Sequence, residues 1–296
     1  MISKKLLTFI AFVGMCATQL SAQMEAKMGK IKDGKLTNLK ELAKCKKVTF
    51  ADSKDLVDSK LLKDLKYCTD LNLNHSKIKD TKYLRYLRNL TTLDLGDTEI
   101  EDLSGIKGLK KLKKLNLANS KVKDLSALKS LSYLEELNLT KTKVTDLSVV
   151  KSLKSLKVLN LTETEVTDLS PFKAHRALYN IILDSSKVKD LSPLQGVKTL
   201  GQISAMGSQV DDLSGIAKMA SIKRLNLNGL KIKDYSPLST LMNLENLVLA
   251  NTNITDLTPI YDLKKLRYLD IEDITISKDK YKEFVIKSDP DIRINR

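Results

Sequence analysis

Tryptophan is absent from the 296-residue chain, histidine occurs only twice and cysteine three times. Each scarcity excludes something. With His75 and His175 far apart and no clustered cysteines, there is neither a metal-ligand set nor a nucleophile with its base, so an enzyme is the poorest reading and no cofactor is expected. The lack of tryptophan removes one of the residue types that dominate protein interfaces. Beyond the first residues no apolar run approaches the roughly 18 needed to cross a membrane. No polar linker or tail marks a second domain.

Lys4 and Lys5 precede the apolar run Leu6 to Met15, and Ala22 stands before Gln23. This is the pattern of a secretory signal peptide over residues 1–22. A lipid anchor at Cys16 is the alternative, with Met15 bulky where such sites usually carry a small residue. The mature chain is then expected to be exported: secreted, periplasmic or on the cell surface, monomeric, with no transmembrane segment.

What the chain has in abundance is a repeat. Leucine recurs every 22 residues at Leu71, Leu93, Leu115, Leu137 and Leu159, gives way to Ile181 and Ile203, and returns at Leu225, Leu247 and Leu269. A fixed period of this length specifies a solenoid. Within one period apolar residues first alternate, which predicts a short strand, and then recur every three, which predicts a tight helical turn. The aspartate of each "DLS" segment (Asp102, Asp124, Asp146, Asp168, Asp190, Asp212, Asp256) stands where the turn starts and can accept its free backbone N–H groups. Pro171, Pro193, Pro237 and Pro259 follow in the first turn, where a missing N–H costs nothing. Five residues after each strand leucine comes Ser76, Thr98, Ser120, Thr142, Thr164, Ser186, Ser208 or Thr252. Pointing inward, these hydroxyls need partners, and a hydrogen-bonded ladder within and between adjacent coils is expected. Leu230 interrupts it beside Gly229.

Cys45 and Cys68 each lie three residues before a strand's first apolar residue, Val48 and Leu71. Equivalent residues of neighbouring coils sit about 4.8 Å apart, which a disulfide tolerates, and an exported protein meets an oxidising compartment. A Cys45–Cys68 bridge and two buried thiols acting as small apolar residues are both open.

The frame "LxL…[TS]xVxDLSxLxxLxxL", running from about Val48 to Ile271, resembles the short leucine-rich repeats of bacterial internalin-type proteins. The resemblance implies an α/β solenoid: a horseshoe with a concave parallel β-sheet and convex 3₁₀ turns, with protein binding as the usual activity. Two departures limit it. The inward asparagine usual in that family is Ser or Thr here, and no further domain or wall-sorting tail follows the repeats. A solenoid must cover its end coils. Residues 23–47 are expected to form an N-terminal cap, with Leu36, Leu39 and Leu42 spacing a helix over Leu36–Lys44; 48–270 carry the repeats; and 271–296 form a C-terminal cap in which Tyr281, Phe284 and Val285 supply a helix's apolar face.

Function is expected on the concave face. Between the two inward positions of each strand stand Asn72, Asp94, Asn116, Asn138, Asn160, Ile182, Ser204, Asn226, Val248 and Asp270. The asparagines are either a side-chain amide ladder that stabilises the sheet or a polar floor for a ligand. The candidate binding residues are Asn116, Asn138, Asn160, Asn180, Ile182, Asp184, Met206, Arg224, Asn226 and Val248, with Asn180, Ile182, Met206 and Val248 the least polar group.

The excess of 51 Lys and Arg over 36 Asp and Glu first suggests a polyanion. Placing each residue in its column changes that. The concave columns hold more acids than cations, so nucleic acid on this face would meet repulsion, and the lysines belong to the edge after the strand and to the convex side. Two functions follow: an exported, non-catalytic module or adhesin whose concave face binds a polypeptide, whether of a host or of an envelope surface; or a binder of an anionic envelope polymer or glycan through the lysine-rich edge and convex face.

Overall fold

A computed structural model of the chain describes residues 26–33, 35–288 and 290–296. The signal-peptide and Cys16 readings fall outside the described residues. Strand β1 (Lys27–Met28) is followed by a hairpin, β2 (Ile31–Lys32) and β3 (Lys35–Leu36), and by a single helical turn, α1 (Leu39–Leu42). The expected helix is therefore shorter than Leu36–Lys44. Asn38 accounts for its start: the amide oxygen accepts the Lys30 N–H at 3.0 Å while Nδ2 donates to the Met28 carbonyl at 3.0 Å, tying the chain to the hairpin just before the helix.

The repeats then deliver one three-residue strand per coil: β4 (Lys47–Thr49), β5 (Asp70–Asn72), β6 (Thr92–Asp94), β7 (Lys114–Asn116), β8 (Glu136–Asn138), β9 (Val158–Asn160), β10 (Asn180–Ile182), β11 (Gln202–Ser204), β12 (Arg224–Asn226), β13 (Asn246–Val248) and β14 (Tyr268–Asp270). Among the described residues these join β1 and a last strand, β15 (Arg293–Asn295), in one parallel sheet of 13 strands, ordered along the chain. The 22-residue period sets the register: Leu137 faces Leu159 and Leu159 faces Ile181. These central residues are all buried, from Leu71 to Leu269. One apolar core runs the length of the solenoid.

The opposite side of each coil is a short 3₁₀ turn, such as Ser104–Ile106, Ser126–Ser130 and Ser170–Phe172. Each "DLS" aspartate starts it. One oxygen of Asp102 accepts the Ser104 N–H at 2.8 Å and the other accepts the Ser104 hydroxyl at 2.6 Å. Asp124, Asp146, Asp168, Asp190 and Asp212 do the same, and so does Asp234, which lies in a "DYS" variant of the motif. These bonds hold Asp124, Asp168 and Asp212 below the usual carboxylate range. The four prolines sit in the first turn.

The chain leaves each strand through the left-handed region of backbone space, always at the fourth residue after the strand's central one. His75, Asp97, Asn119, Lys141, Glu163, Ser185, Gly207, Gly229, Asn251 and Asp273 all have φ between 53° and 76°. Left-handed backbone costs a non-glycine residue about 1–2 kcal/mol, so the turn must be locked by other bonds. The next residue supplies one. Thr98, Ser120, Thr142, Thr164 and Thr252 donate their hydroxyls to the carbonyl three residues back, at 2.6–2.7 Å. The expected ladder between coils is thus replaced by bonds within each coil, because a short hydroxyl reaches its own turn and not the neighbouring coil. Ser76, Ser186 and Ser208 are exceptions: among the described residues the buried hydroxyls of Ser76 and Ser186 have no partner, and the Ser208 hydroxyl accepts the Val210 N–H at 3.4 Å.

At the C-terminal end, α2 (Lys278–Lys287) starts with Ser277 accepting the Lys280 N–H at 3.3 Å. It buries Phe284 against Tyr261, with ring centroids 6.0 Å apart, while Val285 and Ile286 remain exposed. The chain then adds β15 beside β14. Cys45 and Cys68 are free thiols in the structure. Each is turned onto a backbone carbonyl, Cys45 to Glu41 at 3.3 Å and Cys68 to Asp70 at 3.2 Å. Cys68 is buried, which pushes its thiol up to about 12. It serves as the small apolar residue of its column.

Candidate partner-binding face

The concave face is built from the residues flanking each strand's buried centre. Its asparagines act first on their own turns. The amide oxygens of Asn72, Asn116, Asn138, Asn160 and Asn226 each accept the backbone N–H two residues on, at 2.9–3.0 Å, and Asp94 and Asp270 do the same with a carboxylate oxygen. This is the Asx turn, and it is the second lock on the left-handed exit. An amide ladder across the sheet is not what forms. Asn116 donates to Asp94 of the previous coil at 2.9 Å and Asn295 to Asp270 at 3.1 Å; the other amide oxygens of the column serve their own coil. Asn116, Asn138, Asn160 and Asn226 are therefore turn locks in this structure, whatever else they contact.

The lock is missing at Ile182 and Val248, which carry no side-chain acceptor, and at Ser204, whose hydroxyl is turned onto Asp184. For the coil of β11 a neighbour supplies it. Asp184 accepts the Ser204 hydroxyl at 2.5 Å and the Met206 N–H at 3.0 Å with one oxygen, replacing the absent asparagine from the coil before. Asp184 is buried, and among the described residues its second oxygen has no partner. Burial, opposed by these two bonds, raises its pKa above the ordinary carboxylate value.

Beside this stretch Tyr179 is 42% exposed and lies across the next coil. Gly201 makes room for it, since a Cβ there would meet the ring at 2.4 Å. The phenol oxygen sits 3.5 Å from the Gln202 side-chain nitrogen. Ile182 and Val248, expected as an apolar surface, are only 6% and 8% exposed. The contact atoms available in this half of the face are instead those of Tyr179, Asn180, Met206 and Arg224, which are half-buried or exposed.

Charges on the sheet side are extensively paired. Lys113 and Lys157 both reach Glu135, at 3.3 and 2.7 Å; Lys114 reaches Glu136 at 2.7 Å, Lys141 reaches Glu163 at 3.4 Å and Lys223 reaches Glu245 at 2.9 Å. Asp97 takes the amides of Asn74 and Asn119 and lies 3.4 Å from His75, which also lies 3.7 Å from Asp52. The acids of this face are largely engaged in turns and pairs.

Residues 88–130 and 110–152 match the family model described as Leucine Rich repeats (2 copies). An internalin (inlF) of Listeria monocytogenes str. 4b F2365 is 25% identical, with a TM-score of 0.69 over 89% of this chain and 84% of that one. The fold is a leucine-rich repeat solenoid, and the chain is similar to internalins. An internalin C2 (inlC2) of the same strain is 29% identical, with a TM-score of 0.51 over 72% of this chain and 83% of that one. A leucine-rich repeat protein of Leptospira interrogans shares the fold at 23% identity, with a TM-score of 0.55 over 81% and 75% of the two chains. No protein with a curated description matches the sequence.

This leucine-rich repeat protein places its two histidines in separate structural roles. His75 is exposed in the left-handed column. His175 is buried in a convex column otherwise held by apolar residues; Nε2 lies 3.0 Å from the Leu153 carbonyl, and Nδ1 accepts the N–H groups of Ala177 and Leu178 at 3.3 and 3.1 Å. Burial lowers its pKa, which keeps the ring neutral. Among the described residues no group of three His, Cys, Asp or Glu side chains could hold a metal, and no helix is long and apolar enough to cross a membrane. Sequence reasoning missed Tyr179, whose signal was the glycine 22 residues later in the same column.

Proposed function

We propose that the protein is an exported, monomeric, non-catalytic binding module that receives a polypeptide partner on the concave face, centred on β10 to β13. Residues 1–22 are its signal peptide, 23–47 and 271–296 its caps, and 48–270 its repeats. The observation that carries this reading is the loss of the Asx lock at Ile182, Ser204 and Val248. A repeat that gives up a local stabilising bond, and restores it at Ser204 only by burying a carboxylate, departs from its own scaffold rule; such departures concentrate at functional sites. Tyr179 and Arg224 beside it are of the residue types that anchor protein interfaces, and similarity to internalins supports protein binding as the activity.

The test is capture of partners from host and bacterial surface extracts by the mature protein and two variants. Tyr179→Ala combined with Met206→Asp is expected to weaken capture at least tenfold. Thr92→Lys, on the same face in β6, is expected to leave it within twofold. A double variant that still captures the same partners at full strength overturns the reading.

A further inference from the structure

Two side-chain bonds hold the left-handed exit of a coil: the Asx bond from the last residue of the strand, and the hydroxyl bond from the residue five after the strand's centre. From β5 to β14 every coil makes or receives at least one of them, except that of β10. There Ile182 carries no acceptor, and the buried Ser186 hydroxyl has no partner among the described residues. Ser185 nonetheless stands at φ 53°, a region unfavourable to any residue but glycine. What holds this turn is backbone. The Ser185 N–H donates to the Met206 carbonyl at 2.8 Å, the Ser186 N–H to the Leu183 carbonyl at 3.0 Å, and the Asp184 carbonyl accepts the Glu163 N–H at 2.9 Å. Backbone strain without local compensation concentrates at functional sites and switch regions.

The same turn carries Asp184, the one buried carboxylate with an unpartnered oxygen among the described residues. Its other oxygen holds the Ser204 hydroxyl and the Met206 N–H of the next coil. No cation offsets the burial. In the coil before, Glu163 pairs with Lys141; on its own coil Lys187 pairs with Glu165; the next coil presents Met206, Gly207 and Ser208, none of which titrates. Burial raises the carboxyl, the bonds from Ser204 and Met206 oppose it, and no charged side chain contributes. An ionised Asp184 would give up its water for two hydrogen bonds on one oxygen and none on the other, which disfavours the buried charged form.

We infer that the turn at Asp184 is a proton-controlled latch on the concave face: neutral, Asp184 stays buried and holds Met206 and Ser204; ionised, it swings to solvent and releases both. The bond it breaks on leaving is the only side-chain lock of the β11 turn, and the turn it swings on has none of its own. The sign follows from the burial. A carboxyl raised by folding contributes stability that is fully present below its unfolded pKa and is lost as pH rises through the folded one, so the latch is shut on the acid side. It belongs to the chain alone, whatever occupies the face, and its failure would leave the docking reading standing.

Amide exchange of the mature protein, followed by NMR between pH 4 and pH 8 and taken relative to an unstructured chain at each pH, tests the inference. The Met206 N–H is compared with the Ala118 N–H, which has the same place in its coil and is held at 3.0 Å by Asn116, an acceptor that does not titrate. Met206 is expected to lose about tenfold or more of its protection as pH rises, and Ala118 less than about twofold. In Asp184→Asn, whose amide oxygen can keep both bonds, Met206 protection is expected to stay flat, and the wild-type thermal midpoint to fall relative to the variant's as pH rises. Flat protection of Met206 in wild type, an equal fall at Ala118, or the same fall in Asp184→Asn overturns the inference, as does a wild type that gains on the variant with pH. The two wild-type amides decide it even if the variant does not fold.

Discussion

Replacing Leu159 by alanine is expected to destabilise the protein by about 2–5 kcal/mol, the range for removing a fully buried leucine and leaving part of its volume empty. Leu159 is 0% exposed at the centre of β9, between Leu137 and Ile181 in register. The position matters as much as the size of the loss. Coils of a solenoid touch only their neighbours, so stability is approximately a sum of coil and interface contributions. A lesson in the middle weakens both interfaces of one coil and uncouples the halves. Urea unfolding followed by circular dichroism, the natural probe in a chain without tryptophan, should show a lower midpoint and a broader or two-step transition. A midpoint equivalent to within about 0.5 kcal/mol of wild type, the usual scale for surface substitutions, contradicts the assignment of this column to the core.

Phe284→Ala is expected to cost about 3–5 kcal/mol, as for other buried phenylalanines, but at one end only. Phe284 is the single residue of α2 that is fully buried, and it packs on Tyr261 of the last complete coil. Losing it should free α2 and expose the end of the core, so that amides of 278–287 and then of β14 and β15 exchange faster while those of β6 to β9 keep their protection. Hydrogen exchange resolved by segment distinguishes this from a global effect. Uniform acceleration along the chain would show that the end does not fray independently; no acceleration would show that α2 does not close the core.

The pair also marks how far the sequence could be read. The strand leucines, the aspartates that start the 3₁₀ turns and the Phe284 helix were legible because each is a side-chain pattern repeated at a fixed spacing or placed where a pattern stops. Backbone conformation was not. The left-handed exit occurs in every coil, yet its column holds His75, Asp97, Lys141, Glu163 and Ser185 beside Gly207 and Gly229, and a position with so varied a composition shows no residue preference. The two glycines and the asparagines Asn119 and Asn251 were the available signal. The Ser/Thr column lies inside as expected except at Ser208, which is half-buried, but which carbonyl each hydroxyl reaches depends on that same hidden turn. Strands β1 and β15 lie outside the 22-residue frame, and their parallel pairing carries no local pattern.

On the candidate face the change from leucine to Ile181 and Ile203 was legible, but not the contacts that accompany it. Columns of one-letter codes cannot show that Ile182 and Val248 sink to 6% and 8% exposure, that Asp184 reaches forward into the next coil, or that Gly201 lets a tyrosine lie flat. Each is a contact between neighbouring coils, set by side-chain length and direction. The asparagines, legible as either an amide ladder or a polar floor for a ligand, are occupied by their own turns.

Hydrogen exchange of the mature protein with and without its captured polypeptide partner tests the concave site most directly. Added protection is predicted in residues 179–185, 201–207, 224–229 and 246–250, with the convex turns from 104 to 173 unchanged. Protection confined to the convex turns, or to the coils of β5 to β8, would contradict it.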